Sequence, residues 1–334
     1  MAGGTGVFLQ NRDFFGAMVV HVPLLDALRE SDARAPLVVY SPFERGRIFA
    51  RIGLADEVQV YAGAGGRLWS ELRERHFDRI VLLRPQSFGL TALISTVGAQ
   101  RTLGYATALS RLVLSHTIRR DTTIYRPRNY AALLEGEVPL PAFDAAVRRL
   151  AERGGREPRE GAIVLMPCGS EERKLWGEEN FVALARRFLE RDRESRFLLV
   201  LGGGERRYVE LFERAGLAHR TEALIDGSLS DIARAVRAAR VVVANDCGPS
   251  HVAQLSGAPV VLVFGNWDGA ARVRIDEWFD PRPGARCLTT AGAADIRSIA
   301  VDEVLAAASE VAQGRASPAR VIETGSGTPS TRPA

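Results

Sequence analysis

A chain of 334 residues with 46% hydrophobic and 25% charged side chains is long enough for two domain cores, and its composition is that of a globular protein, not a disordered or fibrous one. No apolar run approaches the roughly 20 residues that span a bilayer, and the N-terminal MAGGTGVFLQ lacks the basic region and length of a secretory signal, so a cytoplasmic location is expected. The net charge of +4 is carried by scattered arginines without aromatic interleaving, which argues against a nucleic-acid partner, and Cys168, Cys247 and Cys287 lack the spacing of a disulfide framework or zinc site.

Short β-rich apolar runs alternate with amphipathic stretches, the pattern of parallel βα units. In the first half, strands are expected over 6–10, 36–41, 57–61, 79–84 and 102–105. A helix is expected over 17–30, with Pro23 kinking it or marking a restart. Residues 106–140 are less regular and rich in Arg and Thr, and 145–161 reads as a helix running into a linker of Gly, Pro and charge. A second series follows, with strands over 162–167, 197–202, 222–227, 241–246 and 259–265 and a last helix over 301–313. From Ala316 the chain is poor in apolar residues, the composition of a disordered tail. The expected division is 1–155, 156–315 and a tail 316–334, two α/β domains with a ligand between them at the carboxyl ends of their strands.

Three strand ends of the second half carry candidate chemistry. After 162–167 comes CGSEERKLW, with Ser170 in the loop and Lys174 the single lysine among 44 basic residues. A solvated lysine is the ordinary reading, but a compact point charge on a phosphate is a task for which lysine is used in its own right. After 197–202, GGGERR departs from G-x-G-x-x-G because Arg207 stands at the third glycine. Glu205 there suits either a ribose hydroxyl or the N-terminal charge preference of a helix. After 241–246 the turn Asp246-Cys247-Gly248-Pro249-Ser250-His251 opens a helix. Asp246 is expected to cap it, Pro249 fits its first turn, and backbone N–H groups from Gly248 to His251 would point at an anion, with the His251 ring as a further donor. With Lys174 this describes a diphosphate site that needs no metal, in keeping with the lack of any D-x-D pair in the chain. No cofactor is expected.

These residues resemble the motifs of glycosyltransferase family 9, the ADP-heptose:lipopolysaccharide heptosyltransferases. The family's N-D-[ST]-G-x-x-H segment appears as Asn245 to His251, its lysine motif as Pro167, Gly169, Ser170, Lys174, Trp176 and Phe181, and a first-domain segment as Asp78–Leu83 and Gly98–Tyr105. The resemblance implies the GT-B architecture of two Rossmann-like domains with parallel sheets facing a central cleft. It also implies a nucleotide-diphospho sugar donor, expected to be ADP-heptose, and inverting transfer to a lipopolysaccharide core or other glycan. A peripheral contact with the inner membrane would suit that acceptor, as would Arg101, Arg111, Arg119 and Arg120 if the acceptor is anionic.

One departure concerns the base. The family carries Gly-Asp before a helix proline, and here Gly16 and Ala17 stand at those places. A methyl cannot accept a proton. Asp13, four residues earlier, is the substitute candidate, and His21, one helical turn after Ala17, is the second. The alternatives are a paralogue that binds a nucleotide sugar or glycan without turnover, and a GT-B-like sugar-nucleotide epimerase.

Overall fold

The computed structural model describes residues 3–9, 13–83, 87–136, 138–139, 142–155, 160–314 and 320–324. The chain divides into two compact units, Met1–Ala142 and Phe143–Ala334.

Among the described residues the first unit holds six strands, β1 (Thr5–Phe8), β2 (Leu37–Ser41), β3 (Glu57–Val60), β4 (Arg79–Leu82), β5 (Arg101–Tyr105) and β6 (His116–Ile118). All neighbours are parallel, in the order β3-β2-β1-β4-β5-β6. Every residue of β2 is buried, as a parallel strand covered on both faces requires. Phe8 of β1 stacks on Tyr40 of β2 at 4.5 Å, within a core that includes Ile80, Leu82, Leu72 and Ile94. β6 lies in the stretch that reads as irregular from sequence; it has three residues and none is fully buried. Pro23 does mark a restart: one helix covers Phe15–Val19 and a second runs Val22–Ser31, with the proline in its first turn where no N–H is needed.

The second unit holds β7 (Ile163–Met166), β8 (Phe197–Leu201), β9 (Thr221–Ile225), β10 (Val241–Asn245), β11 (Val260–Phe264), β12 (Ala285–Thr290) and β13 (Arg320–Thr324). Their order is β13-β12-β11-β10-β7-β8-β9, again parallel throughout. Helices Glu178–Arg191, Arg207–Arg214 and Val301–Ala312 form the layer over one core, in which Phe181, Leu184, Ala185 and Phe188 make the apolar stripe of the first of them. Helices Phe143–Glu152, Leu229–Arg237 and Gly248–Ser256 pack on one another in the other layer. The helix Phe143–Glu152 therefore belongs to the second unit by its contacts.

β12 and β13 are absent from the sequence reading. Residues 320–324 correct the expectation of a disordered tail: they pair in register with β12 from Arg286↔Arg320 to Thr290↔Thr324, and Ile322 packs against the core. Average composition hid a short β-branched run, Val321-Ile322, for which the edge of β12 supplies the partner. The remainder of that expected tail, other than the five residues of β13, lies outside the described residues.

In each sheet one strand is flanked by neighbours that run off in opposite directions. The order reverses between β1 and β4 in the first unit and between β7 and β10 in the second. In open parallel sheets the crevice beyond the carboxyl ends of such strands is where ligands bind.

Candidate functional site

At the switch point of the second unit, β7 runs into the loop that carries Ser170 and Lys174, and β10 runs into Asp246 and the helix Gly248–Ser256. Asn245 fastens the two together. Its side chain, fully buried, donates to Pro167 O at 2.7 Å and accepts from Trp176 N–H at 3.2 Å. Pro167 O also takes Tyr208 OH at 3.2 Å, and the buried Trp176 indole donates to Ile299 O at 2.9 Å. Both ends of the loop are thus held by an amide from the neighbouring strand. Gly265, after β11, lets the loop pass closely, because a Cβ there would stand 2.5 Å from Arg173 O. Sequence reasoning passed over Asn245 as a site residue; the signal was a polar amide at the end of the apolar run VVVA, where burial demands partners for both its ends.

Lys174 Nζ lies 2.7 Å from Asp246 Oδ2, with side chains 21% and 13% exposed. The two strand ends singled out from sequence therefore meet at one ion pair. The expectation that Asp246 caps the helix is corrected: the N-cap is Cys247, no side chain caps it, and the Asp246 carboxylate goes to Lys174, the stronger partner for an anion. The donor set at the helix start is also corrected. Pro249 has no N–H, and the first intrahelical bond uses His251, so the N–H groups left without helical acceptors are those of Cys247, Gly248 and Ser250.

The side chains of this turn look inward. Ser250 Oγ donates to Cys247 O at 2.7 Å. Cys247 Sγ sits 4.0 Å from Cys168 Sγ, and Cys168 Sγ lies 3.4 Å from Val200 O. The sulfur contact and then burial raise the Cys168 thiol well above its ordinary range, so it is a neutral packing group. His251 is 3% exposed, with its ring 5.4 Å from that of Trp278 and Nδ1 3.2 Å from Gln254 Nε2. Glu205 turns its carboxylate back onto Gly202 N–H at 2.8 Å, closing the glycine loop after β8, while Gly203 N–H donates to Asp226 Oδ1 at 2.7 Å. Ser170 is exposed and borders a groove of about 680 Å³ shared with Gly169, Trp176, Arg207 and Tyr208.

In the first unit, Asp13 and Phe14 follow β1 and are exposed, and Gly16 sits in the first turn of the helix Phe15–Val19. Asp13 Oδ1 is 2.9 Å from Arg45 Nε, both half exposed. Ala17 is 2% exposed and His21 not at all. The His21 ring stacks on Tyr130 at 5.0 Å and meets Phe49 edge-on, and neither ring nitrogen has a hydrogen-bond partner. Burial, aided by the nearby Arg126 charge, pushes its pKa down to about 3. A sealed, neutral imidazole has no route to an acceptor hydroxyl, so the structure corrects the expectation that His21 is a second base; the face it shares with Ala17 is a core face.

Among the described residues no three His, Cys, Asp or Glu side chains converge as metal ligands, and no helix is long and apolar enough to cross a membrane.

Glycosyltransferase family 9 (heptosyltransferase) matches residues 66–271, more than half of the chain. The chain belongs to glycosyltransferase family 9. It is therefore a glycosyltransferase, and the matched span takes in both strand ends joined by Lys174 and Asp246. No curated protein sequence matches the chain. Solved structures resemble this family 9 chain at the level of fold. E. coli ADP-heptose lps heptosyltransferase II is 16% identical, with 93% of this chain and 99% of that chain covered and a TM-score of 0.63. E. coli heptosyltransferase WaaC with ADP is 15% identical, with 92% and 99% covered and a TM-score of 0.64. UDP-GlcNAc 2-epimerase from Methanocaldococcus jannaschii is 10% identical, with 94% of each chain covered and a TM-score of 0.56. The fold is the GT-B architecture, and it serves more than one chemistry.

Proposed function

We propose that this family 9 glycosyltransferase transfers a heptose from ADP-heptose to an anionic glycan, a lipopolysaccharide core being the first candidate, by a metal-independent inverting displacement. The observation that carries the donor half is the meeting of Lys174 and Asp246 beside the N-H groups of Cys247, Gly248 and Ser250 at the β7–β10 switch point. A lysine and a helix start together supply the positive potential that a departing diphosphate needs. The E. coli enzyme of the same fold solved with ADP supports the choice of nucleotide. Glu205, placed after the second strand of its sheet, is the candidate for the ribose.

For the acceptor, residues 79–134 contain eight arginines and a single acidic residue, Asp121. Arg101, Arg111, Arg119 and Arg120 are exposed within this stretch. That local excess of positive charge suits phosphate or carboxylate groups on an acceptor, and it suits the anionic surface of the inner membrane on which such an acceptor would be carried. The proton of the attacking hydroxyl goes to Asp13, which keeps its carboxylate in solvent with Arg45 as its partner. The hydroxyl oxygen then bonds to the anomeric carbon as the bond to the diphosphate oxygen breaks, inverting that centre.

A second reading is favoured by one observation: at the family's base position the chain has a buried Ala17, and the substitute Asp13 is already ion-paired. A binding role without turnover follows if that pair does not release the carboxylate. Product analysis with ADP-heptose and truncated lipopolysaccharide core separates the two. Transfer of heptose by the native protein, lost in Asp13→Ala with ADP binding kept, is the expected result; ADP binding with no transfer to any core acceptor would instead support the binding role.

A further inference from the structure

The turn following the helix Ala271–Trp278 is fastened along the helix Gly248–Ser256. Arg282 donates to the carbonyls of Gln254, Gly257 and Ala258 at 3.2, 3.1 and 2.6 Å at the carboxyl end of that helix. Gln254 itself is 1% exposed and its amide is held from both sides: Asp280 N–H donates to Oε1 at 2.8 Å, and Nε2 donates to Trp278 O at 3.3 Å. A backbone N–H cannot donate to an amide NH2, and a backbone carbonyl cannot accept from an amide oxygen, so these two groups fix which end of the amide is which. The end that meets His251 Nδ1, at 3.2 Å, is the NH2.

We infer that Gln254 is a positioning residue that fixes His251 as the Nε2–H tautomer at the start of the donor helix. With a donor facing it, Nδ1 offers its lone pair, and the neutral ring carries its one proton on Nε2. An Nε2–H can donate to a phosphate oxygen, whereas an Nε2 lone pair would repel one. The chain from Asp280 N–H through Gln254 to the imidazole so sets the polarity of the ring. The inference rests on the reading of this helix start as the diphosphate site, but the tautomer itself is measurable without any ligand.

Long-range 15N–1H correlation of the side chains at pH 8 reads it, because a protonated ring nitrogen and one with a lone pair have well-separated shifts. The chain has five histidines, and the His251 signal is assigned by its loss in His251→Gln. The native protein should show the proton of His251 on Nε2. Gln254→Glu, which can only accept, should move it to Nδ1 and weaken ADP binding about tenfold. Gln254→Met, which keeps the volume and offers neither donor nor acceptor, should give a mixture and an intermediate ADP affinity. A purely structural role for Gln254 would lower ADP affinity without moving the ring proton and would overturn the inference, as would a native ring protonated on Nδ1. Gln254→Met, which keeps the volume, carries the test if Gln254→Glu does not fold. A native protein with the expected tautomer and no ADP binding would leave the ring assignment standing and sink the donor reading.

Discussion

At the end of β7 stands one lysine in a chain whose other basic residues are all arginine. Its partner Asp246 holds Nζ beside the helix start, so on the proposed reading an incoming diphosphate would meet a charge that is already placed. The same carboxylate would repel a diphosphate bound there, and Asp246→Asn should show the balance. It leaves a partner for Nζ but removes the negative charge; ADP should bind as tightly or more tightly, as measured by calorimetry, and a large loss would mean that the carboxylate itself is needed. Asp13 presents the reverse arrangement, a proposed base restrained by a cation. Arg45→Ala should raise turnover at neutral pH if Asp13 is the base, since the carboxylate no longer has to leave a cation to reach the acceptor hydroxyl; unchanged or lower turnover would count against that role. His21 bears on stability instead. Its folded pKa of about 3 lies below the ordinary histidine value of 6.5, so the unfolded chain takes up a proton that the folded chain refuses. The contribution is complete above pH 6.5 and is lost progressively as pH falls toward 3. Replacing the ring by Phe, which keeps the stack on Tyr130, should flatten the loss of urea stability between pH 7 and pH 4.5; a variant with the native acid limb would show that other groups carry it.

The helix Gly248–Ser256, whose amino end is the proposed site, is held at its carboxyl end. Gly257 takes φ of +78° to close it, and the Arg282 guanidinium then covers the carbonyls of Ala253, Gln254 and Gly257 that the helix leaves over, and that of Ala258 just beyond it. Arg282→Ala should cost about 1–3 kcal/mol of stability through these orphaned carbonyls, seen as a lower midpoint in thermal unfolding. Arg282→Lys should restore only part of it, because a point charge cannot reach three carbonyls in a planar fork. Full recovery with lysine would mean that charge, not geometry, is what the helix end requires. The opposing strand end depends on Asn245, whose amide ties Pro167 O to Trp176 N–H and so sets where the Lys174 loop begins and ends.

On the scale of the whole chain, the fold was largely legible because parallel strands covered on both faces are written as continuous β-branched runs, as in VVVA and PVVLVF. β6 and β13 escaped for the opposite reason: they are short edge strands whose partners, β5 and β12, do more to define them than their own side chains. Of the site, the strand ends were readable from glycine, proline and the lone lysine. What could not be read was which polar groups pair with each other. Asp246 reads as a cap until Lys174 is brought to it from 72 positions away, and His21 reads as an accessible ring until Tyr130 and Phe49 close over it. Long-range pairing of this kind is a property of topology, and local pattern does not contain it. The β7–β10 switch point is proposed to bind a nucleoside diphosphate through Lys174 and the helix start. Calorimetric titration of ADP into the native protein and into Lys174→Ala tests it most directly. The account predicts binding by the native protein and a loss of about 10- to 100-fold in the variant, the worth of one charged hydrogen bond of roughly 1.5–3 kcal/mol; absence of native binding, or equal affinity in the two proteins, would contradict it.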